Sequence, residues 1–280
     1  MFREVYYEII KVFSQKKNYV VIGGHLLLLL LCYIAFKTSN TKYLPSDVRR
    51  MFVNFNAFFD GMFFARMAMI PTFMMIMPIF ISTVAGDIVA GEIQDGSLKL
   101  YLARPRSRVR LILSKMIAIY AVTVIYCIYF AVICLVVGII CFGWPNESQL
   151  IYLRGMGIGN DISIMSLSDA LSRYIMMTFY YSFSLMALGS IVLFLSTIFD
   201  RMTSATVSGI TIYFVCYIVE RLPFTEKIAP YMLSRVMNYP DLYMTAIPIG
   251  RLTVNLATLS VYTLFFTMLS MIIFSLKDIK

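Results

Sequence analysis

The residues best equipped for chemistry in this chain lie close together. Between Gly91 and Lys115 the sequence reads GEIQDGSLKLYLARPRSRVRLILSK. It sets Glu92 and Asp95, with Asp87 just before them, against Lys99, Arg104, Arg106, Arg108, Arg110 and Lys115. Carboxylates interleaved with ammonium and guanidinium groups form ion pairs and docking surfaces. Catalysis would need paired carboxylates, a Ser/His pair or a His/Glu metal set facing one another, and no such set is visible.

The other reactive types are scattered. Cys32, Cys127, Cys134, Cys141 and Cys216 sit in or beside apolar runs without a CxxC, which argues against a zinc or redox site. Cys127, Cys134 and Cys141 recur at sevens, as small side chains in a packing seam would. His25 is the only histidine, and a packed residue near the membrane edge is expected. Met62, Met67, Met69, Met74, Met75 and Met77 crowd one apolar run; thioethers favour copper, but flexible packing explains the same residues, and no metal is expected. Gly155, Gly157 and Gly159 stand in a polar loop with no strand before them, so they are not a dinucleotide fingerprint. Asn146-Glu147-Ser148 fits a glycosylation sequon, a triplet common by chance.

The elements that must position these residues are membrane helices. Hydrophobic residues make up 60% of the chain and charged ones 14%, with a mean hydropathy of +0.81. Runs of about 20 apolar residues, enough to span a hydrocarbon core, recur along the whole length. They lack the period-2 alternation of a barrel, so the fold class is all-α and polytopic. Spans are expected at about 19–36, 66–90, 109–135, 174–197, 203–219 and 252–276, within a single domain covering 1–280. The third lies in an apolar stretch, Val109 to Phe142, longer than one perpendicular helix needs, and tilt or an extension beyond the bilayer would absorb the excess. Residues 1–18 mix acids and bases with Val5, Ile9, Val12 and Phe13 and read as an amphipathic helix lying on the membrane. Residues 143–169 read as a loop, and 221–250 as a connection broken by Pro223, Pro230, Pro240 and Pro248. Pro71 and Pro78 predict local kinks in the second span. Arg66 is expected to snorkel near that span's outer end.

Six spans put both termini on one side. The totals of Lys and Arg on the two sides are nearly even, but their density near 99–115, with Lys11, Lys16 and Lys17, points those segments to the cytoplasm. A multi-pass protein of the cell membrane with cytoplasmic N and C termini is expected.

The charged loop has ordered punctuation. Gly91 and Gly96 weaken the second span's helix, Ser97 is placed to cap a short helix from Leu98 to Ala103, Pro105 stops it, and Ser107 is placed to cap the next span. The sequence Glu92, Gly96-Ser97-Leu98, Leu102-Ala103, Pro105, Ser107-Arg108, Lys115 resembles the signature of type-2 ABC (ATP-binding cassette) exporter permeases. Six spans, an amphipathic N-terminal helix, the broken connection before the last span and the length of 280 resemble that family too. The resemblance implies that 91–105 is a coupling helix seated in a cytoplasmic nucleotide-binding subunit, and that 221–250 is an outer re-entrant pair. It places Glu92, Asp95, Gly96, Ser97, Leu98, Leu102, Pro105 and Arg108 at the contact with the ATPase. Lys99-Leu100-Tyr101 is more polar than the family pattern. A second permease subunit, identical or not, would meet this one through spans one and five, where Ala205 and Gly209 offer small residues for close approach; packing within the chain would use them equally well.

No G-x-x-x-x-G-K-[ST] is present, so the chain is not expected to be an enzyme. It would carry no cofactor, with ATP and magnesium on the partner subunit, and would bind no nucleic acid. The function implied is export of a hydrophobic peptide, drug or lipid. The alternatives are a membrane scaffold or sensor, or an ion- or copper-handling permease of the same architecture.

Overall fold

The computed structural model describes residues 2–38, 60–98, 107–151, 163–220, 222–225, 228–237 and 249–277. In chain order the helices are α1 (Phe2–Phe13), α2 (Lys17–Thr38), α3 (Gly61–Pro71), α4 (Met77–Gln94) and α5 (Arg108–Phe142). After strands β1 (Ser148–Ile151) and β2 (Ser163–Ser166) come α6 (Leu167–Ile198), α7 (Met202–Val219), the short α8 (Leu233–Met237) and α9 (Ile249–Leu276). Counting α3 and α4 as one, six of these helices are long and apolar enough to cross a membrane. The chain is a helical membrane protein.

The helices overrun the expected spans. The stretch from Arg108 to Phe142 is one unbroken helix, and α6 starts at Leu167 rather than near Tyr174. Span two is where proline leaves its mark. Between α3 and α4 lies a five-residue π-helical turn, Thr72–Ile76, bounded by Pro71 and followed by Pro78. Proline has no N–H to give the carbonyl four residues back, which for Pro78 is that of Met74. The Tyr213 hydroxyl of α7 donates to that carbonyl at 2.9 Å, so a neighbouring helix satisfies a group that hydrocarbon would leave unpaired.

The spans containing α4 and α6 are the most buried, whereas α2 leaves most of its surface exposed. Close approach follows from small residues. A Cβ on Gly209 would stand 2.5 Å from Val192 Cγ2, and one on Gly86 would fall on the Thr206 hydroxyl. Ser196 joins α6 to α4: its hydroxyl donates to the Gly86 carbonyl at 2.8 Å and accepts from the Ala90 amide at 2.8 Å.

At the end of the bundle where α3 begins, Asp60 caps that helix, accepting from the Phe63 amide at 2.9 Å. Its other oxygen accepts from the Asn146 amide at 2.7 Å and from the Gln149 side chain. This draws in the β1–β2 hairpin, antiparallel with Ser148 opposite Ser166 and Ile151 opposite Ser163. A hairpin thus stands where a loop was expected, short enough that its apolar pattern does not rise above the polar background. Beneath it α3 and α5 touch backbone to backbone. A Cβ on Gly61 would lie 2.7 Å from the Gly143 oxygen, and one on Gly138 would fall on the Gly61 carbonyl. Arg66, expected at a rim, is instead buried, with its guanidinium 6.0 Å from the centre of the Phe63 ring. In the proline-rich connection the described residues form 3-10 turns at Pro223–Thr225 and Ala229–Tyr231, then α8. Residues 238–248 lie outside the described set.

Candidate functional site

The opposite end gathers α1, the C-terminus of α4 and the N-terminus of α5. Helix α4 ends as the Asp95 amide donates back to the Gly91 carbonyl and the Gly96 amide to that of Ile93, with Gly96 in the left-handed region at φ +72. That conformation favours glycine strongly. Gly91 has a second use: a Cβ there would collide with the Asp87 carboxylate one turn earlier. Helix α5 starts at Ser107, whose hydroxyl accepts from the Arg110 amide at 3.5 Å.

Between these two helix ends lies a chain of ion pairs. The Lys115 ammonium is fully buried. It donates to Glu8 at 2.8 Å, to the Ile88 carbonyl at 2.8 Å and to Glu92 at 2.8 Å. Three acceptors match its three protons, which is what a buried ammonium requires. Glu92 also takes Lys11 at 2.6 Å. Asp87 accepts from Lys17 at 3.0 Å and Gln15 at 2.7 Å, and Glu4 lies 3.4 Å from Arg110. Four carboxylates, Glu4, Glu8, Asp87 and Glu92, therefore balance four cations, Lys11, Lys17, Arg110 and Lys115. Burial acts to lower the Lys11 pKa, but the charges of Glu92, Glu8 and Asp87 and the hydrogen bond to Glu92 outweigh it and hold it above 10.5.

The loop residues divide. Asp95 is exposed, and Leu98 is wholly buried. Ser97 is itself helical, its hydroxyl donating back to the Glu92 carbonyl at 3.4 Å, and the amides it was expected to cap lie outside the described residues. Leu102 and Pro105 lie outside the described residues. Arg108 turns inward. Its guanidinium donates to the carbonyls of Phe274, Ser275 and Lys277 at 3.2, 3.3 and 2.7 Å, closing the C-terminus of α9 where the helix dipole favours a cation. Lys277 does the same for α6, at 3.0 Å from the Thr197 carbonyl and 3.1 Å from that of Ile198, while pairing with Asp200 at 2.7 Å. The Gln94 side chain accepts from the Met202 amide at 3.2 Å and reaches α7.

Ala205 and Gly209 are buried against the chain's own helices. Small-residue spacing permits close approach, and at Gly209 the approach is to Val192 of α6 in the same chain. His25 is packed as expected, its ring centre 4.3 Å from that of Phe130 and its Nε2 3.5 Å from Cys134 Sγ. Of the cysteines at sevens, Cys127 and Cys134 are buried and Cys141 is exposed. Among the described residues no group of three or more His, Cys, Asp or Glu side chains is arranged to hold a metal ion.

Residues 19–280 match a family model described as "Protein of unknown function (DUF2705)". The chain belongs to that family. The match begins within α2, so all of α1 and its ion-pairing face lie ahead of the part this DUF2705 member shares with the model. A comparison with curated proteins found no match.

Sequence reasoning reached Glu92, Gly96, Ser107 and Lys115 but not Glu4, Glu8, Lys11, Asp60 or Lys277. A signal for the first three was present. Glu4, Glu8 and Lys11 recur at helical spacing on one face, opposite Tyr6, Ile10 and Phe13.

Proposed function

We propose that this chain is the membrane-spanning subunit of an ATP-driven exporter, with ATP hydrolysed by a separate nucleotide-binding subunit seated on the loop between α4 and α5. The observation that supports this best is the buried Lys115 ammonium. It ties the loop's first flank (Glu92), its second flank (α5) and the N-terminal helix (Glu8) into one unit. Displacement of the loop then reaches the spans through specific bonds. It passes along α4 by continuous helix, to α1 through Glu92–Lys11, and to α9 and α6 through Arg108 and Lys277. A neutral cluster of paired charges holds parts together without fixing them to solvent, as a rigid-body switch requires. The charged end faces the cytoplasm in this reading, and both termini lie there. Asp95 and the segment after Leu98 are the surface offered to the ATPase. The cargo is a hydrophobic peptide, drug or lipid, and a second permease subunit completes the path.

The test is co-expression with the candidate ATPase subunit. Asp95→Lys, on an exposed side chain, should weaken co-purification at least tenfold with the permease still folded. Glu92→Gln should leave assembly intact while uncoupling ATP hydrolysis from substrate movement. Recovery of the wild-type chain with no ATPase bound in several mild detergents would remove the reading's support.

A further inference from the structure

We infer that α1 and the turn after it form a docking surface for anionic phospholipid headgroups in the leaflet on that side of the membrane. The two faces of α1 have different tasks. On one face both of its acids are consumed internally, Glu4 by Arg110 and Glu8 by Lys115. About half a turn round the helix Tyr6, Ile10 and Phe13 are exposed, with Tyr7 exposed beside them, and the apolar surface continues through Tyr19 and Val20 at the start of α2. Aromatic rings of this kind prefer the headgroup layer.

The charge that remains is of one sign. Residues 2–18 hold four bases, Arg3, Lys11, Lys16 and Lys17. Lys11 and Lys17 are neutralised by Glu92 and Asp87. Among the described residues Arg3 has no acidic partner, donating to the neutral Tyr7 hydroxyl at 3.3 Å with its guanidinium 5.7 Å from the centre of that ring. Lys16 is exposed in the turn between α1 and α2, with no acidic partner among the described residues. Arg3 and Lys16 thus flank an apolar, aromatic strip with two uncompensated cations and no exposed acid in α1. Zwitterionic lipid satisfies the apolar strip but offers the cations no net charge. Anionic phospholipid satisfies both, and attraction between basic residues and an anionic leaflet is the expected source of selectivity.

The experiment uses the full chain in detergent, offered equal amounts of phosphatidylglycerol and phosphatidylcholine with identical acyl chains, with bound lipid counted by native mass spectrometry. Wild type should retain the anionic lipid in excess. The double variant Arg3→Gln/Lys16→Gln should lower that excess by roughly fivefold for each cation removed. Arg201→Gln, an exposed cation off this surface, should leave it unchanged. Equal retention of the two lipids by wild type would overturn the inference, as would a preference that the double variant leaves intact. Both altered side chains are exposed and outside the ion-pair cluster, so the variants keep the fold and either result is interpretable.

Discussion

The two ends of the bundle are held by different chemistry. At the α1 end, long cationic side chains reach across gaps: Lys11, Lys17, Arg108, Lys115 and Lys277 each end on carboxylates or helix-terminal carbonyls of another element. At the hairpin end, helices meet backbone to backbone at Gly61, Gly138 and Gly143, and one carboxylate, Asp60, is held by neutral donors. A four-carbon stem can swing and still keep its partner, whereas a glycine contact tolerates no displacement. The comparison teaches that one end is joined by ion pairs and capped helix ends, and the other by direct backbone contact.

The largest effect should come from removing the central cation. Lys115→Met leaves Glu8 buried without its counter-charge and Glu92 with Lys11 alone, and loss of one partner of a buried pair typically costs about 3–5 kcal/mol. The thermal midpoint in detergent should fall sharply, and the further change Glu8→Gln should recover part of it. If Lys115→Met unfolds at the wild-type temperature, the charged end is not held as described. Next, Asp60→Ala strips three N–H groups of their acceptor, and buried donors left unsatisfied cost about 1–3 kcal/mol. The loss should be local, read as faster hydrogen exchange at Asn146 and in β1, while Asp60→Asn keeps an acceptor and should cost less. Smaller again, Gly138→Ala must push α3 from α5, and overpacking of this kind costs about 1–3 kcal/mol. It should lower the thermal midpoint, where an alanine on exposed helix surface would do nothing.

The smallest effect is titration of Lys11. Its folded pKa is raised, so its contribution to holding α1 is present below the unfolded value near 10.5 and is lost as pH rises through the folded one. Accessibility of α1 to protease should stay flat across neutral pH and increase only in strong alkali.

Much of this contrast was readable in the residues, and the part that was not has one cause. Apolar runs located the six spans, and Gly96 and Ser107 were identifiable as punctuation because their roles depend on adjacent backbone. Lys115 meets Glu8 across 107 residues, and Gln149 meets Asp60 across 89. Nothing local to either residue names its partner. Ala205 and Gly209 have a related property: small-residue spacing states that something approaches closely but not whether it is the same chain. The β1–β2 hairpin escaped because what anchors it is the Gln149 side chain on Asp60 rather than an apolar strand pattern.

The π-helical turn at Thr72–Ile76 bears on where this chain tolerates changes in length. Each residue rotates an α-helix by about 100°. Loss of one residue elsewhere between Gly61 and Gln94 would swing Asp87 and Glu92 away from their lysines or Asp60 away from the hairpin. A wide turn already holds one residue in surplus. Removing one there lets the turn relax to ordinary helix while both flanks keep their azimuth. That single turn is therefore the one point on the span where an in-frame deletion can be absorbed without rewiring both ends.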